Sequence, residues 1–135
     1  MIILTELPPI IREAQKAFPG MNPMMTVFTY GKYIYNPGGH NISEDLLIHE
    51  ETHMNQQNDP KSWWYEYLHD KDFRLEQELE AYNNQYEFYE NIEHDRNNRA
   101  KFLSKIASDL SGDMYGRMIE YKDALDKIKN YGKPV

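Results

Sequence analysis

The segment Leu46-Leu47-Ile48-His49-Glu50-Glu51-Thr52-His53 decides how this chain is interpreted. Three residues before it stands Ser43, a residue type that caps helix N-termini, and the two acidic residues after Ser43 suit a first helical turn. The segment has helical apolar spacing, and the proline-containing turn after Gln57 would end the helix. We therefore predict one helix that begins after Ser43 and ends near Gln57.

The same segment contains a His-Glu-x-x-His pattern. His49 and His53 are four residues apart, so a helix places both imidazoles on one face, where they can bind one metal ion. Glu50 is placed to act as general base on a water molecule without itself becoming a ligand. The alternative is an amphipathic helix with two polar histidines and no metal. Because the chain has no cysteine, any further ligand must be His, Asp or Glu.

The third ligand is expected from the acidic segment Arg74–Tyr82. A zinc site that performs hydrolysis uses three protein ligands and leaves the fourth position to water. Helical spacing puts Glu78 at the border of the buried stripe of this segment, whereas Glu76 and Glu80 should face away. Spacing therefore favours Glu78 as the ligand, with Glu80 as the reserve.

The remaining sequence predicts a mostly helical α+β domain that spans residues 1–135. Two β-branched and aromatic runs flank Gly31-Lys32, which predicts a β-hairpin from Val27 to Tyr35. Pro8 and Pro9 can open the first helix, in which Ala17 belongs to the apolar stripe. Besides the His-Glu-x-x-His helix, we predict helices over residues 8–18, 61–68, 72–92, 95–110 and 117–130.

Composition limits the classes of partner. The formal net charge of −7 argues against a nucleic-acid binder, which needs a basic surface. No run approaches the ~18 apolar residues that a membrane span requires, so no membrane association is expected. The N-terminus lacks the basic and apolar regions of a signal peptide, and we expect a cytoplasmic protein.

The ligand pattern resembles a known family. His49-Glu50-x-x-His53 followed by Glu78-x-x-Ala81 resembles the gluzincin group of zincin metallopeptidases, in which a later glutamate helix supplies the third ligand. Over most of its length the chain is also similar to small metallopeptidases encoded by tailed bacteriophages and prophages. The segments that carry this similarity are Tyr30-Gly31, Ile34-Tyr35-Asn36-Pro37, His49 to Gln57, Trp63-Trp64, Phe73 to Tyr82 and Asp109 to Gly116.

This resemblance implies a minimal zincin-like domain with one zinc ion per chain on His49, His53 and Glu78. Glu50 would take a proton from the attacking water and pass it to the leaving amine. A peptide or protein substrate would lie along the edge of the hairpin between residues 27 and 35. Phage structural proteins would be candidate partners, and the location would be the host cytoplasm or the virion.

Two details of the family pattern stay open in this sequence. The developing oxyanion needs a donor, and Tyr115, Tyr35 and His40 are candidates because each lies in or beside a loop. Several gluzincins carry an acid or Asn four residues after the ligand glutamate, whereas this chain has Tyr82 there. Support for a ligand histidine must therefore come from elsewhere.

Two rival functions are weighed against hydrolysis. A phage protein could retain the fold and the zinc as a structural or assembly component, although an intact Glu50 favours catalysis. Glu50-x-x-His53 and Glu66-x-x-His69 also have the spacing of di-iron bundles, but the segment that carries Glu66 is too short for a bundle helix.

Arg74 is interpreted either as a buried partner of an active-site carboxylate or as half of a surface ion pair.

Overall fold

The computed structural model describes residues 1–134, and its elements agree with the predicted α+β class. Helices predominate, and a small sheet lies at the N-terminal end of the chain. The strands are β1 (Ile2–Leu4), β2 (Phe28–Tyr30) and β3 (Tyr33–Tyr35). The helices are α1 (Ile11–Ala17), α2 (Glu44–Gln56), α3 (Pro60–His69), α4 (Lys71–Ile92), α5 (Arg96–Leu110) and α6 (Tyr121–Asn130), with short 3-10 turns at Pro23–Met25 and Asp113–Tyr115.

The sheet has the strand order β1-β3-β2. β2 and β3 form the predicted antiparallel hairpin, and Gly31 adopts a φ of 63° in the turn, a conformation that favours glycine. Strand β1, which no sequence pattern predicted, pairs with β3 in parallel through Ile3 and Ile34. Because β3 lies in the centre, β2 forms one edge of the sheet.

The packing of α2 against α4 positions the candidate site. One apolar cluster fills the space between α1, the hairpin and α3, with Phe28 and Trp64 among its buried members. A second cluster joins α4 to α5 and α6 around Ile106 and Leu110. The facing sides of α2 and α4 meet between these two clusters.

Among the helices of residues 1–134, none is long and apolar enough to cross a membrane.

Several predicted helix ends and faces differ from the structure. α1 begins at Ile11 instead of Pro8, because residues 8–11 form a turn, and Ala17 is exposed, not part of the buried stripe. α6 begins at Tyr121 instead of near residue 117, since Gly116 and Arg117 both have positive φ. Ser43 occupies the N-cap position of α2, but its side chain makes no capping hydrogen bond.

Candidate metal centre

Three of the predicted site residues converge at the contact between α2 and α4. Nε2 of His49 lies 3.1 Å from Oε1 of Glu78, and Nε2 of His53 lies 3.1 Å from Oε2 of the same carboxylate. All three side chains are buried, and one ligand atom from each of them lies within 4.8 Å of the other two. This group is therefore able to hold a metal ion.

Helix geometry explains why these residues meet. His49 and His53 project from one face of α2, and their ring centroids are 4.8 Å apart. Glu78 faces them from α4, and the hydroxyl of Tyr67 on α3 donates to its Oε2 over 2.6 Å. The Glu78 carboxylate is thus held in place by α3, a helix that carries none of the three candidate ligands.

The outer nitrogen of His49 is held by a chain of hydrogen bonds. Nδ1 of His49 lies 2.9 Å from Oε1 of Gln85, and the amide nitrogen of Gln85 donates to Asp45 over 2.8 Å. Because that amide nitrogen faces a carboxylate, the amide oxygen faces the imidazole, and Nδ1 must carry the hydrogen. The lone pair of His49 is then on Nε2, which points into the centre.

His53 is oriented in the same way by different residues. Its Nδ1 lies 2.8 Å from Oε1 of Gln56, whose amide nitrogen donates to Glu80 over 2.8 Å and to the backbone oxygen of Gln77 over 3.0 Å. Glu80, the reserve ligand of the sequence analysis, therefore contacts the outer side of the site through Gln56. These two glutamine chains provide the histidine support that Tyr82 does not.

The donor set fits a cation. The Nε2 atoms of His49 and His53 each lie 3.1 Å from an oxygen of the Glu78 carboxylate. Two hydrogen-bond acceptors repel each other at this distance, so a proton or a metal ion must lie between them. Oε1 of Glu78 is buried and lacks a hydrogen-bond donor among the described residues. Two imidazole nitrogens and a carboxylate oxygen are common ligands of divalent transition metals.

The charge states of the metal-free centre follow from the same contacts. Burial alone would lower the pKa of His53, but the Glu78 carboxylate outweighs it and raises the pKa to about 9. Burial alone would raise the pKa of Glu78, but the adjacent histidines hold it well below its usual range. Without metal, a proton on His53 therefore compensates the Glu78 charge.

Glu50 lies beside this group and has a separate partner. Its carboxylate is 5% exposed, and Oε1 accepts a hydrogen bond from Oγ1 of Thr29 over 3.0 Å. Burial raises the pKa of Glu50, while the neighbouring histidines and the Thr29 hydroxyl oppose part of that rise. The result is a carboxylate with a raised proton affinity, oriented by strand β2.

The centre opens into a cavity of about 380 Å³. His49, Glu50 and Glu78 line it together with residues of β2 and the segment before that strand. Apolar side chains make up much of the remaining wall, and they come from β2, from α1, α2, α3 and α5 and from the loops beside them. These apolar residues are Ala14, Phe18, Met21, Met25, Val27, Phe28, Leu46, Trp63, Trp64, Leu68, Phe102, Ile106 and Met114.

The three oxyanion candidates lie in different places. Tyr115 lines the cavity, and its hydroxyl is 2.8 Å from that of Tyr82, whose ring packs edge-on against His49. Burial raises the pKa of both hydroxyls well above the usual value, so both stay protonated, and the one that accepts their mutual hydrogen bond keeps its own proton free to donate. Tyr35 is buried in β3, and Nε2 of His40 lies 2.8 Å from the backbone oxygen of Met24, so neither lines the cavity.

Comparison of the chain with protein-family models, with curated proteins and with solved structures gives no match in any of the three. The geometry itself therefore defines the site as a buried His-His-Glu group beside an independently held carboxylate. The di-iron alternative receives no support, because Glu66 and His69 are both exposed.

Sequence patterns did not single out Thr29 beside Glu50 or the three residues that support the ligands. A local signal existed for Gln56, which lies three residues after His53 on the same helix face. Gln85 lies seven residues after Glu78, so helical spacing returns it to the ligand face of α4. Tyr67 had no comparable signal, because it reaches Glu78 only through the packing of α3 on α4.

Proposed function

We propose that this protein is a zinc-dependent peptide hydrolase of the gluzincin type. The observation that carries the proposal is the buried Glu50, held by Thr29 beside the His-His-Glu group and facing the same cavity. A metal site with a purely structural role has no use for such a carboxylate or for an opening to a cleft. Phage origin is part of the proposal and is supported by the sequence resemblance.

Zinc is the metal that we propose for His49, His53 and Glu78. Two histidines and one glutamate are a ligand set of zinc hydrolases, with the remaining position available to water or substrate. When bound, the ion supplies Lewis acidity, which polarises a carbonyl group and makes a water molecule more acidic. Gln85 and Gln56 would keep both Nε2 lone pairs available for it.

Glu50 has the properties of a general base. It would accept a proton from the attacking water and deliver it to the nitrogen of the leaving amine. The raised pKa of Glu50 suits this exchange, because proton transfer is most efficient when the pKa of the base lies near the working pH. Of the hydrogen-bonded hydroxyls of Tyr115 and Tyr82, the one whose proton is not used in their mutual bond would donate to the negative charge that develops on the carbonyl oxygen, and the other would support it.

A peptide is the substrate class that fits the cleft. Strand β2 is an edge strand of the sheet. The cavity is lined by Thr29 of β2 and by Val27, the residue before this strand. The backbone oxygen of Thr29 already accepts hydrogen bonds from Gln57 and Trp64. An extended peptide would therefore form its main-chain hydrogen bonds beside Thr29, at Val27 and the segment before it, and this would bring an amide bond towards Glu50. A cell-wall peptide or a phage structural protein are both sources of this bond type.

The deciding experiment compares Glu50→Gln with Glu51→Gln, a matched change at the adjacent exposed position. We expect about one zinc per chain by elemental analysis in both variants and in the wild type. Hydrolysis of a peptide library should be lost in Glu50→Gln and retained in Glu51→Gln. Absence of zinc from the reloaded wild type would overturn the proposal, and stoichiometric zinc without hydrolysis would favour the structural or assembly role.

A further inference from the structure

Arg74 is a buried cation without an acidic partner among the described residues. It lies on α4 one helical turn before Glu78, is 7% exposed, and forms no ion pair with a described carboxylate. Neither sequence-based interpretation of Arg74, an active-site ion pair or a surface ion pair, is therefore correct. A buried charge needs strong compensation, so the groups that surround this guanidinium carry information about its role.

The compensating groups are two backbone carbonyls and the aromatic rings of Phe18 and Tyr67. Nη1 donates to the backbone oxygen of Tyr67 over 2.8 Å, and Nε donates to that of Tyr115 over 3.2 Å. The guanidinium carbon lies 5.1 Å from the centre of the Phe18 ring. Gly116 packs closely as well, since a β-carbon there would lie 3.5 Å from Nη2.

These contacts join separate walls of the cleft. Tyr67, Tyr115 and Phe18 all line the cavity, yet they come from α3, from the turn at residues 113–115 and from the residue after α1. Tyr67 also donates to Glu78, and Tyr115 is hydrogen-bonded to Tyr82. One side chain on the glutamate helix thus fixes the segments that carry both of these tyrosines.

The shape of the guanidinium matters for this role. Its donors form a planar, rigid fork that can reach two carbonyls in different directions while one face covers an aromatic ring. The carbonyl of Tyr67 lies near the C-terminal end of α3, where the helix dipole favours a cation. Lysine offers a compact charge without this geometry, so Arg74→Lys should not reproduce it.

We infer that Arg74 is a positioning residue, which aligns Tyr67 with the carboxylate of Glu78 and aligns Tyr115 with the cleft. The alignment of Glu78 concerns metal binding alone, whereas the contribution of Tyr115 to hydrolysis rests on the proposed function. Arg74 itself touches neither the ligand nitrogens nor a substrate position, so its effects must pass through the two tyrosines.

The first test uses metal-free protein and amide hydrogen exchange measured by mass spectrometry. Arg74→Met and Arg74→Lys should raise exchange in residues 112–117 on the order of 10-fold, because the bond to the Tyr115 carbonyl is lost. The matched control is Arg99→Met, since Arg99 also donates to a backbone carbonyl, that of Glu93 over 3.0 Å, but does not line the cleft. Unchanged exchange in α6 would verify that the variants remain folded.

The second test is a double-mutant cycle on zinc affinity. Arg74→Lys should weaken zinc binding on the order of 10-fold in the wild-type background and have little effect in Tyr67→Phe, which already lacks the bond to Glu78. A merely structural arginine would give the same loss in both backgrounds. Such additivity, or unchanged exchange in residues 112–117, would overturn the inference while the proposed function stands. A wild type that binds no zinc would overturn the proposed function, and the exchange measurement would still decide the role of Arg74.

Discussion

The hydroxyl of Tyr67 and the Oε2 atom of Glu78 are 2.6 Å apart, the shortest hydrogen bond to a residue of the His-His-Glu group. Its donor comes from α3, which follows the histidine helix in sequence and precedes the glutamate helix. Burial and the negative charge of Glu78 raise the pKa of Tyr67 well above the usual value, so the hydroxyl keeps its proton. This contact fixes the rotation of the carboxylate towards both histidines.

Replacing Tyr67 by phenylalanine should therefore weaken the metal site. The variant keeps the ring and its packing but leaves Oε2 without its donor, and outer-shell losses of this kind cost roughly 10- to 100-fold in metal affinity. Competition titration of zinc against a chromophoric chelator measures the effect. Tyr65→Phe on the exposed face of the same helix is the control, and equal affinities in the two variants would contradict the prediction.

The two glutamates that the sequence left as alternatives should behave differently. Glu78→Ala removes a donor from the centre and should reduce bound zinc to a small fraction of one per chain after dialysis. Glu80→Ala removes only the carboxylate behind Gln56, so stoichiometric zinc should remain, with affinity reduced about 10-fold or less. Elemental analysis of both proteins checks this. Zinc retained by Glu78→Ala and lost by Glu80→Ala would reverse the assignment.

The sequence predicted the parts of the site that local periodicity determines. Residues four apart on a helix share a face, so His49 and His53 could be placed together before any tertiary structure was known. The choice of Glu78 over Glu80 used the same reasoning, because only one of them borders the buried face of α4. Most helices and the hairpin around Gly31 also follow from local patterns.

The rest depends on contacts between residues far apart in the chain. Strand β1 has only three residues, and its first two are exposed, so no alternation of apolar and polar residues marks it. The bond from Gln85 to His49 joins positions 36 residues apart, and Arg74 reaches a carbonyl 41 residues away. Helix packing makes these contacts, and the periodicity of a single segment does not contain that information.

The stability of the metal-free protein should fall with rising pH, whereas that of the zinc-loaded protein should not. The pKa of His53 in the metal-free fold is about 9, above the usual 6.5, so its contribution to stability is complete below pH 6.5 and is lost as the pH rises through about 9. The Glu78 carboxylate stays charged throughout this window because its pKa is lowered. Zinc requires neutral His53, so its stabilisation grows as the proton leaves.

Urea unfolding between pH 6.5 and 9 measures both trends. With a chelator present, the free energy of unfolding should fall by a few kcal/mol across the range, and with zinc present it should hold steady or rise. In His53→Ala with chelator present, the free energy of unfolding should not decrease across this pH range. A metal-free protein whose stability increases over the same range would contradict the assignment of the proton to His53.

The acid side of the activity profile should depend on Thr29. Its hydroxyl donates to Glu50 over 3.0 Å and favours the charged carboxylate, so Thr29→Val removes that support while it keeps the size and shape of the side chain. The pKa of Glu50, already raised by burial, should then rise further. Since the base acts only when deprotonated, the acid limb of kcat/KM should move upward by about half to one pH unit. Thr52→Val is the matched control, because Thr52 on α2 is also a buried threonine, but its hydroxyl donates to the backbone oxygen of Ile48 and accepts from Asn84 instead of contacting Glu50. Zinc content measured at each pH separates this shift from metal loss, and an unmoved acid limb in fully loaded Thr29→Val would exclude Glu50 as the titrating base.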